Sequence, residues 1–143
     1  GVECADLLLG DGEQLLLGEV SVKLIETPGH TNTCLSYYVG DRIFTGDALL
    51  IRGCGRTDFQ NGNSAQLYDS ITQRLFSLPD ETLVYPGHDY HGFTVSTIAE
   101  EKVHNPRLQL GRADFIEHMD NLKLSNPRKM DIAVPANLSC GEQ

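Results

Sequence analysis

The stretch Phe44-Thr45-Gly46-Asp47-Ala48 closes a β-type run with a glycine and then a carboxylate. The same pattern recurs on either side of it, in Thr27-Pro28-Gly29-His30-Thr31 and in Tyr85-Pro86-Gly87-His88-Asp89. In each, the glycine permits a tight turn, so the next side chain leaves the strand end toward a shared cleft. A lone histidine at a strand end is ordinarily structural. Two imidazoles and one carboxylate delivered by three such turns predict a metal site instead, since these are donors that suit a divalent ion.

Outward from these turns, Val20, Val22 and Leu24 share one face of a strand expected over 20–27, with Ser21 and Lys23 between them. Cys34 to Val39 reads as a second strand, and Gly40-Asp41 turns it into Arg42–Thr45. Residues 52–64, with Gly53, Gly55 and Gly62 and no hydrophobic period, read as a functional loop. Asn63 or Ser64 caps a helix whose stripe is Leu67, Ile71, Leu75 and Leu78, with Tyr68 beside it, and which stops at Pro79-Asp80. Thr82 to Tyr85 returns as a strand. Thr97-Ile98-Ala99-Glu100 fits a capping box opening a helix to about His104, stopped by Asn105-Pro106. A last helix runs from Arg112 to Leu122, and the tail from Lys123 reads as irregular, interrupted by Pro127 and Pro135. Strands lead and helices follow, which gives an α/β layered domain occupying residues 1–143.

The 143 residues carry a formal charge of −9, which argues against nucleic acid or an anionic membrane surface as partner. An anionic small molecule would need a local basic patch. No run reaches the ~18 apolar residues of a membrane span; the strongest, Leu15 to Ile25, is broken by Gly18, Glu19 and Lys23. Gly1 to Asp6 do not form a signal peptide and look like the middle of a protein. Cys4, Cys34, Cys54 and Cys140 form no paired motif, so reduced thiols in a cytosol-like compartment are expected.

PGHT, TGDA and YPGHDY, in this order, resemble the second half of a metallo-β-lactamase-fold protein. FTGDALLIRGCGRTDF (44–59), YPGHDYHGFTVST (85–97), NPRL (105–108) and DIAVPAN (131–137) narrow the resemblance to the persulfide dioxygenases, also called sulfur dioxygenases. The resemblance implies an αββα sandwich of which this chain supplies mainly the second sheet and its helices, leaving one apolar sheet face uncovered. The family's upstream HxHxDH motif is absent from these residues. The chain is therefore expected to be the C-terminal portion of a longer protein, with a missing N-terminal segment or a complementing chain supplying the rest.

The resemblance further implies one Fe(II) per complete site, held by His30, Asp47 and a histidine of the missing motif. The implied reaction oxidises glutathione persulfide with O₂ and water to sulfite and glutathione, in a bacterial cytoplasm or the mitochondrial matrix. His88 then hydrogen-bonds beside the ion rather than holding it, although in two-metal relatives its position binds the second ion. Tyr90 either hydrogen-bonds the substrate or is a partly buried tyrosine with a satisfied hydroxyl. Asp58 joins His88 and Tyr90 in the candidate catalytic set, and Arg56 and Arg107 are candidates for the glutathione carboxylates; Arg56 and Asp58 alternatively pair to stiffen their loop. Asp89 is expected to bond turn amides. Cys54 reads as a small side chain in a tight place, and His91, His104 and His118 as uninvolved. Two competing readings stand beside the dioxygenase: a glyoxalase-II-like hydrolase of glutathione thioesters, and an inactive fragment. Oligomeric assembly is left open.

Overall fold

A computed structural model describes residues 5–139 of the chain. Cys4 and Cys140, and most of the stretch read above for a signal peptide, lie outside the described residues. The chain divides into two compact units, one spanning Gly10–Asn121 and the other formed by the residues up to Leu9 with those from Leu122 onward.

The larger unit opens with a meander: β1 (Gln14–Leu17), β2 (Val20–Glu26), β3 (Leu35–Val39) and β4 (Arg42–Gly46), each antiparallel to the last. A separate small hairpin follows, β5 (Leu49–Leu50) with β6 (Gly53–Cys54). Helix α1 (Ser64–Asp69) then widens into a π-helical stretch, Ser70–Leu75. β7 (Leu83–Pro86) returns parallel to β4, and β8 (Ser96–Thr97) pairs antiparallel with β7. The order of the six-stranded sheet is thus β1-β2-β3-β4-β7-β8. α2 (Ile98–His104) and α3 (Arg112–Asp120) complete the unit.

The caps form as read, but the helix expected to reach Pro79-Asp80 ends at Leu75, leaving Leu78 half-buried in the turn beyond it. Asn63 Oδ1 accepts from the Gln66 amide at 2.9 Å, and Thr97 with Glu100 makes the full capping box. Leu67, Ile71 and Leu75 are fully buried. Their spacing of four exceeds the 3.6-residue α turn, and the π widening keeps Leu75 on the buried line.

Strand register sorts the sheet into two faces. Ile25, Ser36, Ile43, Thr45 and Val84 fall on one and are all buried, together with Leu67, Ile71, Leu75 and Ile98 of the helices. Each fully buried Ile or Leu contributes about 1.5–3 kcal/mol. Leu24, Tyr37, Phe44 and Tyr85 line up across the other face, where Tyr37 is 43% and Phe44 44% exposed. Phe44 stacks on Tyr85 at 5.6 Å. The resemblance implies an uncovered apolar face; here it is open at Tyr37 and Phe44, while Leu24 on the same face is buried.

The smaller unit holds α4 (Met130–Leu138), with Pro135 inside it. The expectation of an irregular tail is therefore corrected. Pro135 withholds an amide donor, but its carbonyl still accepts from Ser139 at 3.1 Å, and Met130, Ala133, Ala136 and Leu138 are good helix formers. Pro127 precedes the helix, its carbonyl accepting from the Met130 amide at 3.1 Å. No helix among the described residues is long and apolar enough to cross a membrane.

Candidate metal centre

β2 delivers His30 through a turn anchored on both sides. Thr27 is fully buried, its hydroxyl 2.9 Å from that of Ser36. Gly29 has φ +138°, and a Cβ there would collide with the backbone of Leu67. The start of α1 therefore lies directly against the turn, and the Asn63 amide donates to the Gly29 carbonyl at 2.8 Å. β4 delivers Asp47 in the same manner, with the Thr45 hydroxyl donating to the Leu49 carbonyl at 2.6 Å. The Gly87 amide donates to the Gly46 carbonyl at 2.7 Å, which brings the end of β7, and with it His88, beside Asp47.

Asp47 sits between the two imidazoles. Its Oδ1 is 2.6 Å from His88 Nδ1, and its Oδ2 is 3.6 Å from His30 Nε2. His30 Nδ1 is 2.7 Å from the carbonyl oxygen of Arg56. A carbonyl only accepts, so Nδ1 donates to it, and Nε2 is the ring nitrogen left facing the carboxylate. An imidazole oriented with Nε2 beside a carboxylate suits two ligands of one divalent ion. Among the described residues, no group of three or more His, Cys, Asp or Glu is arranged to hold an ion. These residues therefore fit a metal as a partial donor set.

The glycine-rich loop closes over this pair. Gly55 donates its amide to the Asp47 carbonyl at 2.8 Å, and a Cβ on it would strike that oxygen and lie 2.9 Å from the His30 ring. Only glycine fits there. Arg56 forks onto Asp58 with two contacts of 2.6 Å and lies 3.7 Å over the Phe59 ring. The hydrogen bonds from Arg56 hold the Asp58 carboxyl below its usual range. Arg107 reaches the loop from the other side, donating to the Cys54 carbonyl at 2.7 Å, one residue away from Gly55. Cys54 is buried and burial pushes its thiol pKa up, as suits a small packing residue rather than a nucleophile.

The loop after β7 is built differently. Asp89 Oδ2 accepts from the amides of His91, Gly92 and Phe93 at 2.9, 2.5 and 2.8 Å, as expected of it. Burial pulls the Asp89 pKa up, and the three amides together outweigh it, leaving it below the ordinary value. Tyr90 is 76% exposed and stacks nearly parallel on His88 at 6.2 Å. Within this chain Tyr90 is thus exposed rather than partly buried. His91, His104 and His118 are exposed.

Sequence reading passes over one group. Glu101 is fully buried, bonded to Arg52, Ser96 and Asn105. The signal was present: Ile98, Glu101 and Asn105 follow a helical stripe whose first member is core, which puts an acid and an amide on the inward line.

A family model described as the metallo-beta-lactamase superfamily matches residues 5–88. The chain is similar to the protein named persulfide dioxygenase ETHE1, mitochondrial, of Mus musculus (52% identity) and of Homo sapiens (50%), in each case over 97% of this chain. It superposes on the crystal structure of ETHE1 from Myxococcus xanthus with a TM-score of 0.96 at 57% identity, over 99% of this chain. The chain spans 56% of the length of both mammalian relatives and 64% of the bacterial structure.

Proposed function

The chain belongs to the metallo-beta-lactamase superfamily, and from that premise we propose that it carries the second half of an iron-dependent persulfide dioxygenase. The whole enzyme would oxidise glutathione persulfide with O₂ and water to sulfite and glutathione, using one Fe(II) per complete site. The observation that carries the reading is the His30–Asp47 pair, with Nε2 3.6 Å from Oδ2 under the Gly55 loop. The similarity in sequence to persulfide dioxygenases across 97% of the chain supports the same reading.

His30 Nε2 and the Asp47 carboxylate would hold the ion, with the third protein ligand coming from outside these 143 residues. The ion, when bound, supplies the redox chemistry by which both atoms of O₂ are transferred to the terminal sulfur. The chain's own side chains do the rest. The Arg56 carbonyl accepts from His30 Nδ1 and so orients the ring, leaving Nε2 as the nitrogen that would meet the ion. His88 donates to Asp47 and holds the carboxylate in place, which fits a residue beside the ion. Tyr90 presents its phenol at the exposed mouth, where it would hydrogen-bond the persulfide. Against a net charge of −9, the glutathione carboxylates need local cations, and Arg56 and Arg107 border the loop. Asp58, bound to Arg56, would set how that guanidinium is presented. Bacterial cytoplasm or mitochondrial matrix remains the proposed compartment, the mammalian relatives being named mitochondrial.

One observation favours the second reading, a two-metal hydrolase of glutathione thioesters: Asp47 stands between His30 and His88, so that His88 could join the donor set for a second ion. Metal analysis and oxygen uptake on the full-length protein separate the two. One iron with O₂ consumed on persulfide is the expected result. Two metals per chain, with thioester cleavage and no oxygen consumption, would replace the dioxygenase with the hydrolase.

A further inference from the structure

Among the described residues, Glu101 is the only acidic side chain that is fully buried, and both of its oxygens are used. Oε1 accepts from the Arg52 guanidinium and, at 2.7 Å, from the Ser96 hydroxyl. Oε2 accepts from the Arg52 backbone amide at 2.9 Å and from Asn105 Nδ2 at 2.9 Å. Buried charge opposes folding unless it is fully paired, and an apolar side chain of like volume would serve stability as well. Such a group is best understood through the geometry it fixes.

That geometry is the turn between β5 and β6. Arg52 takes φ +59°, a conformation side chains other than glycine rarely adopt, and its amide is pinned by Glu101. Asn105 Nδ2, itself held by Glu101, donates to the Gly53 carbonyl at 2.9 Å and reaches the Leu50 carbonyl at 3.4 Å. Both ends of the turn are therefore gripped from α2. The strand leaving it is only Gly53–Cys54, after which come Gly55, docked on the Asp47 carbonyl, and Arg56, whose carbonyl receives His30 Nδ1–H. A one-residue slip along a strand moves a carbonyl by about 3.3 Å, beyond hydrogen-bond reach.

We propose that Glu101 is a positioning residue for the metal centre: by fixing the β5–β6 turn it fixes the Arg56 carbonyl, and so holds the His30 ring with Nε2 turned toward Asp47. This rests on the reading of His30 as a ligand. The test is Glu101→Gln in the full-length protein, with the His30 Nδ1–H to Arg56 carbonyl hydrogen bond read by NMR proton exchange and Fe(II) affinity by titration. In the wild type the Nδ1 proton should be seen and exchange slowly. In the variant, held well below its melting temperature with unchanged circular dichroism, that proton should exchange faster and Fe(II) affinity fall about 10–100-fold. Unchanged exchange and affinity would overturn the proposal, since loss of a merely structural contact lowers stability without freeing a folded imidazole. If Glu101→Gln does not fold, Ser96→Ala removes one of the four bonds and should give the same changes at smaller size; no change there overturns it equally. A wild type that consumes no O₂ on glutathione persulfide sinks the dioxygenase and leaves the His30 result to stand on its own.

Discussion

The loop after β6 and the loop after β7 both start beside Asp47, yet the first is held by buried partners and the second by one half-buried carboxylate. Residues 52–59 are tied by Glu101 and Asn105, by Arg107 on the Cys54 carbonyl, and by the close approach of Gly55 to Asp47. Residues 88–95 rely on Asp89, with Tyr90, Phe93 and Val95 exposed around it. The loop that touches His30 is thus tied at several points, as the proposed metal ligand would need. The loop that offers Tyr90 to solvent has no such demand and can adjust to what it meets.

The sharpest way to break this contrast is Gly55→Val. The added atoms meet the Asp47 carbonyl and the His30 ring, and overpacking of this kind costs about 1–3 kcal/mol. Denaturant unfolding should show that loss, and Fe(II) titration should show binding abolished. Tolerance of valine would mean the first loop is not rigid. Asn105→Ala comes next: it leaves the Gly53 carbonyl and a Glu101 oxygen short of a donor, at about 1–3 kcal/mol. Its melting temperature should fall while the exchange of the 88–95 amides stays as it was.

The effect of pH is smaller. Hydrogen bonds from Arg56 depress the Asp58 pKa in the folded protein, so their stabilisation is complete above the unfolded value of about 4 and is lost as pH falls through the folded value. Asp58→Asn should therefore melt below the wild type at pH 6, with the difference closing toward pH 2. A gap that persists at pH 2 would assign the loop's stiffness to something other than this pair. Asp89→Ala should have the least global effect. The His91, Gly92 and Phe93 amides should exchange faster, with little change in melting temperature.

How far the sequence discloses these two loops follows from their physics. Glycine followed by a donor at three strand ends is a local signal, and His30, Asp47 and His88 were legible for that reason. So were the Asn63 cap and the capping box at Thr97, which depend on neighbours three residues away. The β5–β6 hairpin was hidden because two-residue strands have no period, and because its left-handed position is occupied by Arg52 rather than glycine. β1 was obscured by Leu15, Leu16 and Leu17, whose unbroken apolar run masks alternation. α4 is hidden because Pro135 is a local breaker signal that masks the helix formers around it. For Glu101 the local stripe with Ile98 and Asn105 discloses burial, but its partner Arg52 lies 49 residues away and no local pattern reports that pairing.

The direction of β7 has a consequence for how the centre comes together. His30 and Asp47 are joined by a meander of neighbouring hairpins, whereas Asp47 and His88 are 41 residues apart and meet only when β7 lays down parallel to β4. Closing the longer loop is the slower event. Pulse labelling during refolding should thus find β2–β4 amides protected before those of β7, with the imidazole of His88 the last of the three to arrive. Strand polarity sets a chronology: the pair that grips first is the pair nearest in the chain.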